Sequence, residues 1–193
     1  MNGEDPYTEQ ILKDNTCENV ERYGFGEGDD YRASGEKLMH EHGALGVCFH
    51  LDGWKAEDGS VLSEVEAPFP GRFSIYNVLS ALAVCRHLKV NAEAAQKGLK
   101  QAHVKGRIEM LPVSSEYTLM IDYAHNAMAL ESLLTTLKEY KPKRIVTLFG
   151  CGGNRAKSRR YEGEKSPDGC RISQSSPRTT PETKNRWISS RIS

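Results

Sequence analysis

Two short motifs, one strand–helix–strand repeat apart, constrain the fold of this chain more than any other feature. Residues 121–126 read Ile-Asp-Tyr-Ala-His-Asn, and residues 148–155 read Leu-Phe-Gly-Cys-Gly-Gly-Asn-Arg. In each motif an apolar strand ends and polar or glycine residues follow it. Ligands of open α/β sheets collect at the carboxyl ends of the strands. We therefore expect a polar substrate site where these two strands end, because packing alone does not require such residues there.

The hydrophobic pattern upstream of these motifs predicts short strands followed by two helices. Residues 43–50 are typical of a strand. The first helix is expected from Asn77 to Leu88, since apolar residues recur there near helical spacing. The second helix is expected to begin with Asn91 as its N-cap and to end before Gly106.

From Arg107 onwards the pattern predicts the start of a βαβ unit. The expected order is a strand over residues 108–113, a turn over 114–116, a strand over 117–122, a helix over 127–140 and a strand over 144–149. Lys141-Pro142 should end the helix, because proline cannot continue it.

Composition narrows the classes of partner and the cellular compartment. The 26 basic and 26 acidic residues balance, and no long block of one sign suggests a nucleic-acid or membrane-surface partner. No apolar run approaches the roughly 20 residues that span a bilayer, and the start lacks the pattern of a signal peptide. Five scattered cysteines suit reduced thiols. We expect a cytoplasmic protein that binds neither nucleic acid nor membrane.

Residues 162–193 differ in composition from the rest of the chain. This segment has seven serines and only five apolar side chains, without helical or strand periodicity. Its composition predicts a disordered tail.

The motifs together resemble those of the Mur ligases, most of all the MurE branch. Residues 121–126 and 148–155 look like motifs of that family's C-terminal domain. Residues 69–83 are similar to its Gly-x-Phe-Asn-x-Tyr-Asn-x-x-Ala-Ala segment, and residues 106–109 to its Gly-Arg-Met-Glu hinge. Residues 2–6 resemble its Asn-x-Asp-Asp turn, from which Glu4 departs. The resemblance covers roughly residues 1–161.

The resemblance implies an α/β fold and a division of the chain into parts. Residues 1–106 would be the second half of a Mur ligase central ATPase domain, and residues 107–161 the start of its Rossmann-like C-terminal domain. The implied activity is that of an ATP-dependent ligase of peptidoglycan synthesis, with ATP and Mg²⁺ as cofactors. It would add meso-diaminopimelate to UDP-N-acetylmuramoyl-L-alanyl-D-glutamate, with L-lysine as the alternative amino acid.

The resemblance also assigns roles to six residues. Asn77 would contact the adenine or ribose of ATP, Arg107 its phosphates and Asp122 the ribose hydroxyls. The expected catalytic residues are His125, near the nucleotide, and Arg155 and Lys157, which would face the acyl phosphate and the incoming amino acid. No metal ligand is assigned.

Most of these residues also have a purely structural interpretation. Asn77 can cap its own helix, since asparagine is a favoured N-cap. Arg107 can be a surface ion-pair partner, and Asp122 with His125 can form a strand-end turn. The glycines of residues 150–153 can simply make a tight turn, and the basic stretch 155–160 can be a solvated surface.

A metal site built from histidines is not expected. His40, His42 and His50 have spacing that suggests metal binding, but no carboxylate or cysteine lies at ligand spacing beside them.

Two features lead us to expect that the chain alone is inactive. The sequence contains no phosphate-binding Gly-x-x-x-x-Gly-Lys-[Ser/Thr], which the resemblance places upstream together with the family's metal ligands. A non-catalytic remnant, or a weak nucleotide-binding module, is therefore the alternative function.

In addition, reading residues 163–193 in a shifted frame with allowed codons yields an apolar strand and the family's Asp-Asn-Pro-Arg. We predict a frame shift near Glu162.

Overall fold

The computed structural model describes residues 1–41, 44–124, 127–149, 171–174 and 187–191. The chain divides into two compact units: Met1–Met39 with Leu45–Ala102, and His40–Ala44 with His103–Ser193. Both units are mixed α/β structures, as predicted. The predicted domain boundary after residue 106 lies close to the break at Ala102 and stays a prediction. Among the described residues, no helix has the length and hydrophobicity needed to cross a membrane.

The first unit is built on a four-stranded sheet in the order β1-β2-β3-β4. Strands β1 and β2 are parallel, and β3 and β4 are antiparallel. The sheet elements and the helices around them are α1 (Thr8–Lys13), β1 (Tyr23–Gly24), β2 (Tyr31–Glu41), β3 (Ala44–Asp52), β4 (Glu64–Ala67), α2 (Arg72–His87) and α3 (Ala92–Gln101). The predicted strand at 43–50 corresponds to β3.

One apolar face of this sheet and the buried sides of α2 and α3 form a single core. On β3, alternate residues such as Val47, Phe49 and Leu51 are buried, which is the period-two pattern of a strand with one core face. Ile75 and Leu79 of α2 join the same cluster. This unit therefore stabilises itself mainly by burial of apolar surface.

Helix α2 starts five residues earlier than the predicted start at Asn77. It begins at Arg72 after Gly71, whose φ of 87° supplies a turn that glycine makes at least cost. The Ser74 hydroxyl donates to the Pro70 carbonyl at 2.7 Å, and Ser74 and Ile75 are buried. Burial of this first turn, which a search for a polar N-cap does not detect, sets the start of the helix.

The second helix of the pair was predicted correctly. Asn91 is its N-cap, with Oδ1 accepting from the backbone N–H of Ala94 at 2.9 Å. This bond satisfies one of the free donors at the helix start.

The second unit contains a five-stranded sheet in the order β5-β6-β9-β7-β8. Its elements are β5 (Glu109–Leu111), β6 (Thr118–Ile121), α4 (Ala127–Glu139), β7 (Arg144–Phe149), β8 (Arg171–Gln174) and β9 (Trp187–Arg191). The prediction of β7 is confirmed, and α4 ends one residue before its predicted end. Strands β5 and β6 are shorter than predicted.

Two strands lie in the segment for which composition predicted disorder. Strand β8 pairs with β7 in parallel, and β9 pairs with both β6 and β7 in antiparallel orientation. Disorder is therefore the wrong prediction for residues 171–174 and 187–191, because neighbouring strands supply hydrogen-bond partners that composition does not reveal. The rest of residues 162–193 lies outside the described residues, and the predicted frame shift stays a prediction.

Strands β6 and β7 end at the same edge of the sheet, as the two motifs predicted. Both run antiparallel to β9, so they are parallel to each other. Ile121 and Leu148 both lie opposite Trp187. Strand β9 lies between β6 and β7. The ends of β6 and β7 are therefore about 10 Å apart, which is two strand spacings.

Candidate functional site

The candidate site of the second unit is organised by Asp122, which directly follows β6. One carboxylate oxygen, Oδ2, accepts from the backbone N–H of Ile108 at 2.9 Å, and the other, Oδ1, accepts from that of Ala124 at 2.6 Å. The side chain is half-buried. Asp122 therefore ties the segment that precedes β5 to the loop that follows β6.

The segment that Asp122 holds has an unusual backbone. Gly106 has a φ of 71° and Ile108 a φ of 46°, in the left-handed region that a β-branched residue rarely adopts. Such a conformation costs about 1–3 kcal/mol and persists only where surrounding bonds hold it. Gly106 N–H donates to Glu109 Oε2 at 2.7 Å, and Arg107 N–H to the Val104 carbonyl at 3.0 Å. With the Ile108 bond to Asp122, all three backbone donors of residues 106–108 have partners.

The side chain of Arg107 is exposed and lies beside an aromatic ring. Its guanidinium carbon is 5.3 Å from the centre of the Tyr123 ring. Among the described residues, no carboxylate forms an ion pair with Arg107, so the ion-pair alternative has no partner there. An exposed guanidinium with five N–H donors in one plane is well suited to bind phosphate.

Residues 106–168 match the family described as "Mur ligase, glutamate ligase domain". The chain is 31% identical over 184 residues to the UDP-N-acetylmuramoyl-L-alanyl-D-glutamate–2,6-diaminopimelate ligase of Syntrophomonas wolfei, covering 93% of this chain and 36% of that protein. It is 28% identical over 186 residues to ligase 1 of the same name from Clostridium acetobutylicum, with the same two coverages. The chain belongs to the Mur ligase family.

A solved structure supports the same fold. The UDP-N-acetylmuramoylalanyl-D-glutamyl-2,6-diaminopimelate–D-alanyl-D-alanyl ligase of Acinetobacter baumannii matches with a TM-score of 0.62 at 23% identity, over 90% of this chain and 37% of that one. This chain therefore spans little more than a third of the length of the Mur ligases to which it is similar. Because 93% of it aligns with the two bacterial relatives, the similarity continues past the expected limit at Tyr161.

Asn77, the third nucleotide-binding residue expected from the Mur ligase motifs, lies in the first unit. It is exposed in the second turn of α2, so its interpretation as an N-cap is wrong. The preceding residue, Tyr76, donates its hydroxyl to Glu4 and packs edge-on to Phe25, with ring centres 5.3 Å apart. Burial and the bond to Glu4 raise the pKa of Tyr76 to about 12, so the phenol is protonated at neutral pH.

The opening turn, where Glu4 departs from the Mur ligase pattern, is part of the same region of the first unit. Asn2 Oδ1 accepts from the Glu4 N–H at 3.0 Å, as in a short Asx turn. Gly3 packs against Asp29 so closely that an added Cβ would lie 1.9 Å from Asp29 Oδ1. A side chain at this position would therefore displace the Asp29 carboxylate, which accepts from the Gly26 N–H, and Glu4 accepts from the Tyr76 hydroxyl.

The three expected catalytic residues, His125, Arg155 and Lys157, lie outside the described residues, as do the glycines of residues 150–153. Their roles stay predictions.

Sequence reasoning missed two features of the described residues. Tyr123 was expected to be part of a motif but not to contact Arg107, and no sequence spacing relates the two residues. The sequence shows no carboxylate at ligand spacing beside the histidines, but in the structure the ring nitrogens of His50 are each 3.1 Å from a carboxylate, that of Asp52 and that of Glu64. The period of two in β3 and its pairing with β4 place all three on one face.

The described residues fit the nucleotide better than they fit a metal. Arg107 supplies donors for phosphate, and each Asp122 oxygen, having accepted one N–H, keeps acceptor capacity for a hydroxyl. No three carboxylate, histidine or cysteine side chains among the described residues form a group that could hold a metal ion. We therefore assign none of them to Mg²⁺.

Proposed function

We propose that this chain carries part of the ATP site of a ligase that adds meso-diaminopimelate to UDP-N-acetylmuramoyl-L-alanyl-D-glutamate. The two relatives above are named for that reaction. The observation on this chain that supports it best is the exposed Arg107 guanidinium over the Tyr123 ring, on a segment whose backbone Asp122 binds at the carboxyl end of β6. L-Lysine is the alternative amino acid.

In this proposal the described residues bind and orient the nucleotide. ATP with Mg²⁺ supplies the phosphoryl group that activates a carboxylate for attack by an amine. Arg107 offsets phosphate charge through charge-assisted hydrogen bonds, which are among the stronger polar contacts in proteins. Asp122 accepts from the ribose hydroxyls, and the exposed amide of Asn77 contacts the adenine or ribose.

The catalytic roles of His125, Arg155 and Lys157 are part of the same proposal. They rest on the family motifs and on the direction of β6 and β7, after which these residues follow in the sequence. Ligands of α/β sheets bind at such an edge. We further infer that the protein acts in the cytoplasm on soluble small molecules, which suits the three described cysteines, all of them free thiols.

The first test is nucleotide binding by the 193-residue chain, measured by calorimetry with ATP, ADP and AMP. Replacing Arg107 by alanine should weaken ATP binding about 10-fold or more, since a hydrogen bond to a charged group contributes about 1.5–3 kcal/mol. AMP should be affected much less, because the proposed contact is to the outer phosphates. Lys105→Ala is the matched control, as Lys105 is also a nearby exposed cation. Equal loss of ATP and AMP, or equal loss in the control, would contradict the assigned role.

The second test is ligation by the product of the gene together with its flanking sequence. The assay measures ADP release that depends on the UDP-muramoyl dipeptide, with either meso-diaminopimelate or L-lysine. A strong preference for meso-diaminopimelate supports the proposed substrate. Nucleotide binding without ligation of either amino acid would instead identify the non-catalytic remnant. Resequencing the same DNA also decides the predicted frame shift near Glu162.

A further inference from the structure

Tyr123 is half-exposed, and its ring lies beside a cation. It is 50% exposed, immediately after Asp122 and next to buried Ala124. An aromatic side chain that stays this accessible contributes less burial free energy than one in a core. The observed neighbour of its face is the guanidinium of Arg107, at 5.3 Å. The face of the Tyr123 ring therefore lies where it attracts the Arg107 guanidinium.

The backbone on both sides of this contact is fixed by the same carboxylate. Asp122 precedes Tyr123 and accepts from the N–H of Ile108, the residue that follows Arg107. It also accepts from Ala124, the residue that follows Tyr123. A single side chain thus sets the separation of the two chain segments from which the arginine and the ring project.

We infer that Tyr123 is a positioning residue for Arg107. A ring face attracts a guanidinium without using its N–H donors, which lie in the guanidinium plane and remain available for an anion. Arginine otherwise loses considerable side-chain entropy on binding, and holding it beforehand reduces that loss. The inference rests on the proposed function for the identity of the anion, the outer phosphates of a nucleotide, but not for the positioning itself.

The positioning is tested without ligand, by NMR of the full chain. The Nε–Hε signal of Arg107, assigned through its loss in Arg107→Lys, should show a ring-current shift and a restricted side chain in the wild type. Tyr123→Phe should keep both features, because the ring face is retained, and Tyr123→Ala should lose both. An Arg107 signal that is unchanged in Tyr123→Ala would overturn the inference.

The consequence for binding is tested by titration with ATP and AMP. Tyr123→Ala should weaken ATP binding about 3-fold, the size expected for an exposed cation–π contact. Tyr123→Phe should bind like the wild type, and AMP binding should not change. Tyr117→Ala, which removes another partly exposed tyrosine of this unit, is the control. ATP affinity that is unchanged in Tyr123→Ala would overturn the binding part of the inference.

The two hypotheses fail in different ways. If the wild-type chain binds no nucleotide, the proposed function fails, while the Arg107 signal still decides whether Tyr123 positions the arginine.

Discussion

The two units of this chain differ in the interactions that fix their best-defined regions: apolar burial in the first unit and hydrogen bonds to carboxylates in the second. In the first unit, sixteen buried side chains of β-strands, loops and helices form one cluster that includes Trp54, Phe49 and Leu79. In the second unit, the best-defined feature among the described residues is polar, with Asp122 and Glu109 accepting from the backbone N–H groups of a strained segment. Apolar burial is nondirectional, whereas a carboxylate fixes individual atoms.

This difference bears on the strained residues of the two units, such as Lys89 in the first and Ile108 in the second. The positive φ of Ile108 lowers the stability of the folded state, and apolar packing does not require it. It occurs next to Arg107, the arginine that we propose for phosphate binding. We therefore expect substitutions in the apolar core of the first unit to change mainly stability, and substitutions around Asp122 to change stability and nucleotide binding together.

The largest effect is expected from Trp54→Ala. The Trp54 ring is 1% exposed, and its Nε1 donates to the Leu82 carbonyl at 2.8 Å. Removing it leaves a cavity, so the free energy of unfolding should fall by about 3–5 kcal/mol. Urea denaturation followed by circular dichroism measures this. Val61→Ala, at an apolar residue that is 59% exposed, should change stability by less than about 0.5 kcal/mol. A loss below about 1 kcal/mol for Trp54→Ala would remove the basis of the comparison.

The next effect is expected from Asp122→Ala in the second unit. The substitution leaves the backbone N–H groups of Ile108 and Ala124 without their acceptor. Because the site is only half-buried, water replaces part of each bond, and the expected loss is about 1–3 kcal/mol. Denaturation gives the loss, and calorimetry with ATP gives the accompanying loss of binding. Glu116→Ala, at an exposed carboxylate, should change neither quantity. A destabilised Asp122→Ala variant that binds ATP normally would show that Asp122 does not contribute to nucleotide binding.

A smaller effect of opposite sign is expected from Lys89→Gly, at the end of α2. Lys89 has a φ of 62°, and the N–H groups of Lys89 and Val90 each donate at 3.0 Å to carbonyls of the last turn, Arg86 and Cys85. This is the Schellman arrangement, which favours glycine at the left-handed position. Relief of the strain outweighs the loss of the exposed Glu57 ion pair, so stability should rise by about 0.5 kcal/mol.

The control for this substitution lies inside a helix. Lys97→Gly, in the middle of α3, should instead lower stability by about 0.7–1 kcal/mol. Equal destabilisation of both glycine variants would show that the positive φ of Lys89 does not destabilise the protein.

The smallest effect is expected from His50, on the exposed face of the first sheet. A hydrogen bond to Glu64, aided by Asp52, raises the pKa of His50 above its usual value of about 6.5, although desolvation of the ring opposes this. A raised folded-state pKa means that the stabilisation is complete below the unfolded pKa and is lost as pH rises through the folded one. Stability of the wild type should therefore decline slightly more than that of His50→Gln as pH rises above 6.5. Thermal melts across pH 5.5–8.5 measure the difference, with His103→Gln as a parallel control. Identical pH profiles of wild type and His50→Gln would contradict the assignment.

The parts of the fold that the sequence predicted correctly depend on local chemistry. Asn91 caps α3 because its side chain reaches the N–H of Ala94, three residues on. Pro142 follows the end of α4, where Lys141 already has a φ of 51°. Strand β7 is a largely apolar segment between a helix end and a glycine-rich stretch of the sequence. Each signal lies within a few residues of the element that it defines.

The features that sequence reasoning missed depend on residues far apart in the chain. Helix α2 begins at Arg72 because its first turn is buried in the core, not because of a polar cap. Composition could not identify β8 and β9, whose hydrogen-bond partners are strands more than 20 residues earlier. His50 meets Glu64 only through the register of β3 and β4.

The sequence by itself determined the family, the α/β class and the edge of the sheet at which Asp122 lies, since motifs and hydrophobic periodicity are written in neighbouring residues. Only the tertiary structure decided what Asp122 and Tyr123 do there. The carboxylate reaches the backbone of Ile108, fourteen residues earlier, and the ring lies beside Arg107. Hydrogen bonds and ring contacts act over a few ångströms, so such pairs exist only after folding has brought distant segments together.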